Sequence, residues 1–482
     1  MRTFAQQPIQ LAPSISITVR GSCVREGYLL CQKHVIVLVE QNAKLVFAVT
    51  STISSASTDV RSRVLAAVVA LTATTLITLP SSAPTAASKG AGTLVVSGGT
   101  LFDGTVREPL ADATIVVRDG RVAEVTGGGV ATLRAGPECI DARGKWIVPG
   151  LIDMHVHYHP GWMDALFLRH GVTTVRDVGS GLNSILELRE HSRAPGVALP
   201  RIFACGPLID GPSPRHGTGI SVSVQTVAEA RAVARRLLNR GVDCLKIYEQ
   251  LTPPLVEAVV REAEGPRVPV TAHLRDTTAL QALEIGVRGL EHAFGFQACD
   301  ETVAAQIVRH VVERGAYVVP TLVTTEQVSR FGSPEQETMA LLGEIPAARR
   351  QYWHATAAAA SLDRTAGAAR RFGCLKAFVA RLQGAGGQVV AGSDTSNPYV
   401  VPGASLHREL ELLVEAGLSP REALAAATRT AAAFLGQAQT LGTLEVGKTA
   451  DLVVLGADPV VSIGAIRQIE VVIRDGRVVW RQ

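Results

Sequence analysis

The sequence lacks closely spaced cysteines, strong net charge in its main body and long apolar runs, and each absence excludes a class of protein. None of the seven cysteines forms a Cys-x-x-Cys pair, so neither a zinc finger nor a disulfide framework is predicted. Residues 91–482 carry 39 Lys and Arg against 40 Asp and Glu, so no basic surface for nucleic acid is expected. The apolar run Val64–Leu79 has 16 residues including four threonines, which is short for a membrane span of about 20.

Composition indicates a globular protein with a large core. The length of 482 residues is enough for two or three domains. Hydrophobic residues make up 47% of the chain, which is enough for a large core. Charged residues, at 19%, fall below the usual share of about 25%. The cysteines are predicted to be isolated buried thiols, with a single disulfide left open: Cys23, Cys31, Cys139, Cys205, Cys244, Cys299 and Cys374.

Residues 60–90 have the order of a signal peptide. Arg61 and Arg63 precede the apolar run, and the small-residue stretch Ser81–Ser88 follows it. We therefore expect cleavage after Ala87. This order predicts a secreted or cell-envelope protein, or a cytoplasmic one if the segment does not function.

Residues 1–59 precede this segment, although a signal peptide normally begins at the first residue. They show little periodicity apart from an apolar piece around Val35–Val49. We expect translation to begin near Val60, which makes residues 1–59 a doubtful N-terminal extension. The alternative is a genuine, poorly ordered extension.

The two ends of the remaining chain share a motif. Val-Arg-Asp-Gly-Arg-Val at Val117–Val122 recurs as Ile-Arg-Asp-Gly-Arg-Val at Ile473–Val478, and Asp-Gly signals a hairpin turn. Residues 91–150 and 441–482 are therefore predicted to build one small β-sandwich domain together. The alternative is two unrelated hairpins.

Residues 151–440 alternate between strand and helix patterns, with eight candidate strands. Eight such alternations predict an α/β fold, a (β/α)8 TIM-type barrel whose chemistry lies at the C-terminal strand ends. Residues 324–387 follow the seventh strand and are too long for a simple connection. They are helical in pattern and rich in Ala and Arg, and we predict that they form a flap over the barrel mouth.

Polar residues occupy the ends of five of these strands. His155 and His157 end the first strand, and alternate residues of a strand share a face, so the two imidazoles project together. The other strands contribute Lys246 on the fourth, His273 on the fifth, His292 on the sixth and Asp394 on the eighth. Imidazole and carboxylate groups are ligands for zinc and similar cations, so the set predicts a metal centre.

These motifs resemble the metal-dependent amidohydrolase superfamily, in particular the imidazolonepropionase-related branch with prolidase-like and ochratoxin-hydrolysing members. The similarity covers roughly residues 92–482. It rests on Pro149-Gly-Leu-Ile-Asp-Met-His-Val-His157, Gly171-Val-Thr-Thr-Val-Arg-Asp-Val-Gly179, Leu245-Lys-Ile-Tyr248, Ala272-His273, Glu291-His292, Gly392-Ser-Asp394 and Gly442-Thr-Leu-Glu-Val-Gly-Lys-Thr-Ala-Asp-Leu452.

The resemblance implies a binuclear centre of two divalent ions, with zinc favoured. Its ligands would be His155, His157 and Asp394 for one ion, His273 and His292 for the other, and a carboxylated Lys246 as the bridge. The ions would share a hydroxide that attacks a carbonyl, while Asp394 takes its proton and passes it to the leaving nitrogen. Burial lowers the pKa of an ammonium and so favours the neutral amine that adds CO₂. The alternative for Lys246 is an ion pair with a neighbour.

A loop histidine follows the third strand. His216, in Ser-Pro-Arg-His-Gly, resembles the family's histidine that contacts the substrate carbonyl. The family more often has Gly-Gly-His, so Pro214 and Arg215 depart from its pattern. A surface loop histidine is the alternative reading.

Further residues near the strand ends are candidates for supporting roles. Tyr248 is a candidate for substrate contact and Arg275 for binding a substrate carboxylate, with plain packing and solvation as the alternatives. His159 is expected just outside the metal ligands. Arg176 and Asp177 end the second strand and are expected to support the ligands.

The predicted function is hydrolysis of a C–N bond in a small-molecule substrate, of aminoacylase or dipeptidase type. A lactone or ester hydrolase and a mononuclear hydrolase or deaminase share the scaffold. The non-enzyme alternative is a metal-free binding scaffold, which the complete ligand set disfavours. No nucleic-acid partner and no stable membrane span are expected, and a homo-oligomer is left open.

Overall fold

The computed structural model describes residues 93–128, 138–217, 219–292, 298–337 and 339–482, together with four short strands nearer the N-terminus. Those four belong to a compact unit, Met1–Ala86, and pair in chain order as one antiparallel sheet. They are β1 (Ile9–Ala12), β2 (Ile15–Arg20), β3 (Lys33–Val39) and β4 (Ser51–Ile53). Only β3 overlaps the apolar piece noted in the sequence. The signal-like segment 60–90 lies outside the described residues.

Both ends of the second unit, Ala87–Gln482, contribute to one mixed sheet of eight strands. The strands are β5 (Leu94–Leu101), β6 (Leu110–Arg118), β7 (Arg121–Thr126), β8 (Glu138–Asp141), β9 (Trp146–Pro149), β20 (Leu452–Leu455), β21 (Ile469–Arg474) and β22 (Arg477–Arg481). Their order is β22-β21-β20-β9-β5-β6-β7, with β8 also paired to β5. The arrangement of this sheet as a sandwich stays a prediction.

The repeated Asp-Gly motif forms the turns of two hairpins that pack together. Asp119 and Gly120 have φ of 50° and 76°, and Asp475 and Gly476 have φ of 50° and 70°. Positive φ at both central residues is the geometry of a type I′ turn. A Cβ at Gly476 would lie 2.8 Å from the Gly120 Cα, so the contact between the turns admits only glycine. The repeat therefore reflects both turn chemistry and close packing.

Parallel strands and helices alternate between these ends. The first half comprises β10 (Leu151–Val156), α1 (Asp164–Arg169), β11 (Val172–Asp177), α2 (Leu182–Arg193), β12 (Arg201–Ala204), β13 (Leu208–Asp210), β14 (Ser221–Ser223), α3 (Val227–Asn239) and β15 (Leu245–Ile247). The second comprises α4 (Pro253–Glu264), β16 (Val270–Ala272), α5 (Ala279–Ile285), β17 (Gly289–Glu291), α6 (Glu301–Arg314), β18 (Tyr317–Val319), α7 (Leu322–Ser329), α8 (Pro334–Glu337), α9 (Ala347–Ala358), α10 (Leu362–Gly384), β19 (Gln388–Val389), α11 (Ala404–Glu415), α12 (Pro420–Ala426) and α13 (Arg429–Phe434). Two 3₁₀ turns, Ala340–Glu344 and Ile463–Arg467, complete the elements.

These strands form parallel sheets of three, β10-β11-β12, and of seven, β14-β13-β15-β16-β17-β18-β19. A parallel bridge between Val156 and Thr395 brings the end of β10 beside the residues that follow β19. The strands are short and buried, as expected where helices cover a parallel sheet. This order is that of a TIM-type barrel, and it gathers the C-terminal strand ends at one face.

Several barrel helices begin at residues that the sequence marks as caps. The Thr226 hydroxyl accepts a hydrogen bond from the Glu229 N–H, and the Glu229 side chain bonds back to the Thr226 N–H. Thr278 and Gln281 form the same reciprocal pair at the start of α5. A cap of this kind stabilises a helix by about 1 kcal/mol, which fixes where these helices begin.

The segment predicted as a flap is helical. Its two longest helices, α9 and α10, are called here the cover (residues 347–384). The second half of α10 packs into the main core through Leu375, Phe378 and Leu382, while its first half lies beside the cavity at the strand ends. The cover therefore has one anchored end and one end that borders the site.

Two disulfides correct the prediction of isolated thiols. Cys205 follows β12 and Cys244 precedes β15, and their Cα atoms lie 4.4 Å apart. Cys299 follows β17 and Cys374 lies on α10, with Cα atoms 5.0 Å apart. The pairs are 39 and 75 residues apart in sequence, so only the fold brings them together. Cys139 is free and exposed, and the remaining cysteines, Cys23 and Cys31, lie outside the described residues.

Among the described residues, no helix combines the length and the hydropathy that a membrane crossing requires.

Candidate metal centre

The polar residues predicted at the strand ends line one cavity. Its volume is about 1190 Å³, and its wall includes every residue predicted as a metal ligand: His155, His157, Lys246, His273, His292 and Asp394. They come from five strands of the barrel: His155 and Lys246 are the last residue but one of their strands, and the others follow a strand, Asp394 by five residues. Their use as ligands stays a prediction, and their convergence is what that prediction requires.

Three of these residues form a compact group of donor atoms. His155, His292 and Asp394 each offer one atom, and all three atoms lie within 4.8 Å of one another. The Asp394 Oδ1 atom lies 3.3 Å from His155 Nε2 and 3.4 Å from His157 Nε2. Imidazole nitrogens and a carboxylate at such spacing are a donor set for zinc or a related divalent ion.

The pKa values of three histidines of the cluster, His155, His273 and His292, are lowered, whereas Asp394, acting against burial, raises the pKa of His157. Burial lowers the pKa of His292 well below its usual value, and the neighbouring His155 and His273 act in the same direction. Burial and the charge of Lys246 do the same for the pKa of His273. A metal ligand must present an unprotonated nitrogen, so these shifts favour ligation over protonation near neutral pH.

A buried carboxylate holds His155 in place. The His155 Nδ1 atom lies 2.7 Å from Glu291 Oε2, which leaves Nε2 facing Asp394. Glu291 also accepts hydrogen bonds from Arg176 and from the Thr271 hydroxyl. Arg176 was expected to support the ligands, but the sequence reasoning missed Glu291. The sequence signal that could have identified Glu291 is its position directly before the predicted ligand His292.

Asp153 links the first strand to the residue before Asp394. It is fully buried and accepts hydrogen bonds from the backbone N–H of His155 at 3.2 Å and of Ser393 at 2.9 Å. The Ser393 hydroxyl donates to its other oxygen at 2.6 Å. Asp153 was also missed, although it lies two residues before His155 on the same strand face. The strand that carries His155 and the segment that carries Asp394 are thereby fixed to each other.

Lys246 is buried among these groups without a matching partner. Its side chain is 1% exposed, and Nζ makes no hydrogen bond with any residue that the structure describes. Burial lowers the pKa of its ammonium to about 8, against the opposing charge of Glu291. A buried amine without a partner is costly and calls for an explanation. Conversion to a carbamate between cations would provide one, so these residues fit a bridged pair of metal ions.

His216 and Tyr248 meet on the cavity wall, whereas Arg275 does not reach it. The His216 Nε2 atom lies 3.1 Å from the Tyr248 hydroxyl, and the Tyr248 ring packs against His273 with centroids 4.6 Å apart. Burial raises the pKa of Tyr248, which keeps its hydroxyl protonated. The Arg275 guanidinium is half exposed and pairs instead with Glu249 at 2.6 Å and with Asp276 at 3.0 Å. The structure therefore assigns Arg275 to an ion-pair network beside the site.

The remaining predicted residues lie around the same cavity. Asp177 accepts hydrogen bonds from the Tyr158 N–H and the Ser180 hydroxyl, both at 2.8 Å, and so holds the loop after β10. His159 lies on the outer wall. Arg215, which departs from the family pattern, also borders the cavity and pairs with Glu249 at 3.1 Å.

Known relatives agree with this architecture. The chain is similar to the imidazolonepropionase of Symbiobacterium thermophilum, with 28% identity over 401 residues, 76% of this chain and 89% of that protein. It is similar to a prolidase solved with N-methylphosphonate-L-proline, with 26% identity and a TM-score of 0.65 over 81% of this chain and 100% of that one. A. niger ochratoxinase shares the fold at 20% identity and a TM-score of 0.62, over 80% of this chain and 95% of that one.

Coverage of other relatives is partial. An uncharacterised protein of Mycobacterium tuberculosis matches at 38% identity over 126 residues, and this chain spans 20% of that protein's length. The amidohydrolase family matches residues 146–479, well over half of the chain. The predicted superfamily branch is confirmed, and these relatives imply a TIM-type α/β barrel. The chain belongs to the amidohydrolase family.

Proposed function

We propose that this chain hydrolyses the C–N bond of a small amide or peptide-like substrate with two divalent ions, favouring zinc. His155, His157 and Asp394 would hold one ion, and His273 and His292 the other. A carboxylated Lys246 would bridge the two. When bound, such ions lower the pKa of a shared water to near neutrality and polarise the scissile carbonyl.

The observation that carries this proposal is the buried Nζ of Lys246. It lies in the same cavity wall as five metal-ligand side chains, and no described residue satisfies it. A structural lysine would be expected to pair with a carboxylate, yet Glu291 is already bonded to His155, Arg176 and Thr271. A carbamate would give Lys246 one negative charge shared by two oxygens, which suits a pair of cations.

The chain's own residues have separable roles around the substrate. Asp394, within 3.4 Å of two imidazole nitrogens, can accept a proton from the attacking water at its carboxylate and deliver it to the leaving nitrogen. The Tyr248 hydroxyl and His216 form a pair at 3.1 Å on the wall, suited to donate a hydrogen bond to the substrate carbonyl oxygen. A lactone or ester hydrolase would use the same groups.

Metal counting tests the proposal. The full chain is expressed with bicarbonate supplied, and bound metal is measured by elemental analysis alongside hydrolysis of a panel of dipeptides and N-acyl amino acids. We expect two ions per chain and turnover of at least one amide. One ion per chain would favour the mononuclear hydrolase or deaminase. No bound metal, together with no turnover, would favour the binding scaffold.

We also propose export to the cell exterior or envelope. The signal-like order of residues 60–90 and the two disulfides support it, because disulfides persist in oxidising compartments. N-terminal sequencing of the exported protein should begin near Ser88. A mature protein that keeps residues 1–59 would contradict both the signal segment and the start near Val60.

A further inference from the structure

Positive charge is concentrated in the cover. Residues 347–384 contain seven Arg and Lys and one Asp, a net charge of +6. The rest of residues 91–482 contains 32 basic and 39 acidic residues, a net charge of −7. A field of one sign above a cleft attracts ligands of the opposite sign. The distribution therefore points to an anionic molecule at this end of the barrel.

Some of the positively charged side chains of the cover line the cavity. Arg349 and Tyr352 of α9 line the cavity wall. On α10 the lining residues are Arg364, Gly367, Ala368 and Arg371, which follow the three- and four-residue spacing of one helix face. The neighbouring Arg350 and Arg370 are not part of the wall. The cover thus separates inward-facing arginines from arginines that face elsewhere.

Two of the inward arginines carry no ion pair within the described part of the chain. The Arg349 guanidinium lies 5.9 Å from the centroid of the Tyr352 ring, and that of Arg364 lies 5.8 Å from the Phe331 ring. These ring contacts position the guanidinium groups without using their N–H donors on a carboxylate. Arg215, by contrast, already pairs with Glu249. The acidic wall residues beyond Glu249 and Asp394 are Asp363 and Glu187.

Another part of the wall is apolar. Ile185 and Leu188 of α2, together with Leu208 and Ile220, border the same cavity. At about 1190 Å³, the cavity exceeds the usual range of about 300–1,000 Å³ for small-molecule sites. It has room for a substrate with an apolar group and a charged group in addition to the scissile bond.

We propose that Arg349 and Arg364 form a subsite for a carboxylate carried by the substrate, which makes the preferred substrates amides with both an acidic and an apolar group. The guanidinium fork matches a carboxylate, and both side chains border the same cavity. This inference rests on the proposed function and specifies its substrate class. The subsite belongs to the cover and is separate from the metal-facing residues.

Matched substrates test the subsite. Hydrolysis of the N-terminal amide bond of N-acetyl-L-phenylalanine and L-alanyl-L-phenylalanine is compared with hydrolysis of the same bond in their C-terminal carboxamides, whose end group is neutral and of similar shape. We expect kcat/KM to favour the acid by about tenfold or more, as a charge-assisted hydrogen bond allows. Arg349→Gln and Arg364→Gln should each remove most of that preference through KM, with little change in kcat. Arg350→Gln and Arg370→Gln remove the same charge from the cover and should keep the preference.

Binding separates failure of the subsite from failure of the proposed function. Affinity for N-acetyl-L-phenylalanine and its carboxamide is measured by calorimetry at low and high salt, which needs no turnover. If neither compound is hydrolysed but the acid binds more tightly and loses that advantage in Arg349→Gln, the subsite stands and the proposed reaction fails. Equal handling of acid and amide in both assays, or equal effects of Arg349→Gln and Arg350→Gln, would overturn the subsite.

Discussion

The strand ends that carry the candidate ligands and the cover satisfy their polar side chains in opposite ways. At the strand ends, Glu291 and Asp153 are fully buried and each accepts three hydrogen bonds, most of them from other parts of the barrel. In the cover, Arg349 and Arg364 have no carboxylate partner among the described residues and contact aromatic rings instead. The first arrangement fixes ligand positions, and the second leaves donors available to a substrate.

The two disulfides repeat this contrast. Cys205 and Cys244 are 0% and 1% exposed and join the residue after β12 to the residue before β15. Cys299 is exposed and connects the loop after β17 to the cover helix α10. Barrel changes should therefore affect metal binding and turnover, whereas cover changes should affect substrate affinity.

Replacement of Lys246 should have the largest effect. Lys246→Ala removes the proposed bridge, so we expect loss of most bound metal and nearly all turnover while the barrel still folds. Lys246→Arg should not restore either property, because a guanidinium stays charged and cannot form a carbamate. Metal analysis, circular dichroism and addition of short carboxylates to Lys246→Ala provide the measurements. Normal turnover with two metals in Lys246→Arg would show that the lysine is only a structural cation.

Glu291 tests the barrel half of the comparison at a supporting residue. Glu291→Gln keeps an oxygen near His155 but loses the charge that faces Arg176, so we expect metal affinity to fall by about 10–100-fold. Thr271→Val removes one hydrogen bond to the same carboxylate without touching His155, and its effect should be several-fold at most. Both are measured by metal titration of the metal-depleted protein. Equal metal affinities in Glu291→Gln and the unmodified protein would show that metal binding does not depend on the contact between Glu291 and His155.

The sequence allowed the barrel and the ring of candidate ligands to be predicted because both follow local rules. Strand and helix periods mark the alternation, and a histidine at the end of a buried strand points toward the mouth wherever the barrel forms. The two-residue period of a strand was enough to predict that His155 and His157 project from the same face. The hairpin motif shared by both ends likewise depends on the positive φ of Gly120 and Gly476.

The partners of those ligands depend on contacts between distant strands, which no local pattern encodes. Glu291 contacts His155 across 136 residues, and Asp153 reaches Ser393 across 240. The same reason explains why the two disulfides and the ion pair of Arg275 could not be read from the sequence. From the sequence alone, an arginine beside a site is a candidate for binding a substrate carboxylate. In the fold, Glu249 lies 2.6 Å from the Arg275 guanidinium and forms an ion pair with it.

The cover disulfide tests the other half of the comparison. In the double variant Cys299→Ser/Cys374→Ser we expect a loss of about 2–4 kcal/mol in the free energy of unfolding, as for other long loops. KM should rise as the cover loosens, while metal content and kcat stay close to normal. Cys139→Ser, which removes the exposed free thiol, is the control and should change neither quantity. Loss of metal in the double variant would show that the cover also holds the metal site.

The smallest expected effect on catalysis comes from Glu409, a buried barrel carboxyl group that accepts hydrogen bonds from the N–H groups of Leu322 at 3.0 Å and Val323 at 2.7 Å. Burial raises its pKa to about 8. Because the folded pKa lies above the unfolded one, its contribution to stability is complete at pH 4 and is lost as pH rises through 8. Glu409→Gln keeps an acceptor that never ionises, so the decline in unfolding free energy between pH 6 and pH 9 should shrink by roughly 2 kcal/mol.

Urea unfolding of the metal-depleted protein at both pH values measures this difference. Burial also raises the pKa of Asp153, to about 7, so Asp153 likewise lowers the unfolding free energy as pH rises. The decline should therefore shrink rather than vanish in Glu409→Gln. Asp363→Asn, at the exposed start of α10, is the matched control in the cover and should leave the decline unchanged. If Glu409→Gln also leaves it unchanged while Asp363→Asn reduces it, the pH sensitivity lies in the cover, and the division between a buried, titrating barrel and an open, cationic cover is wrong.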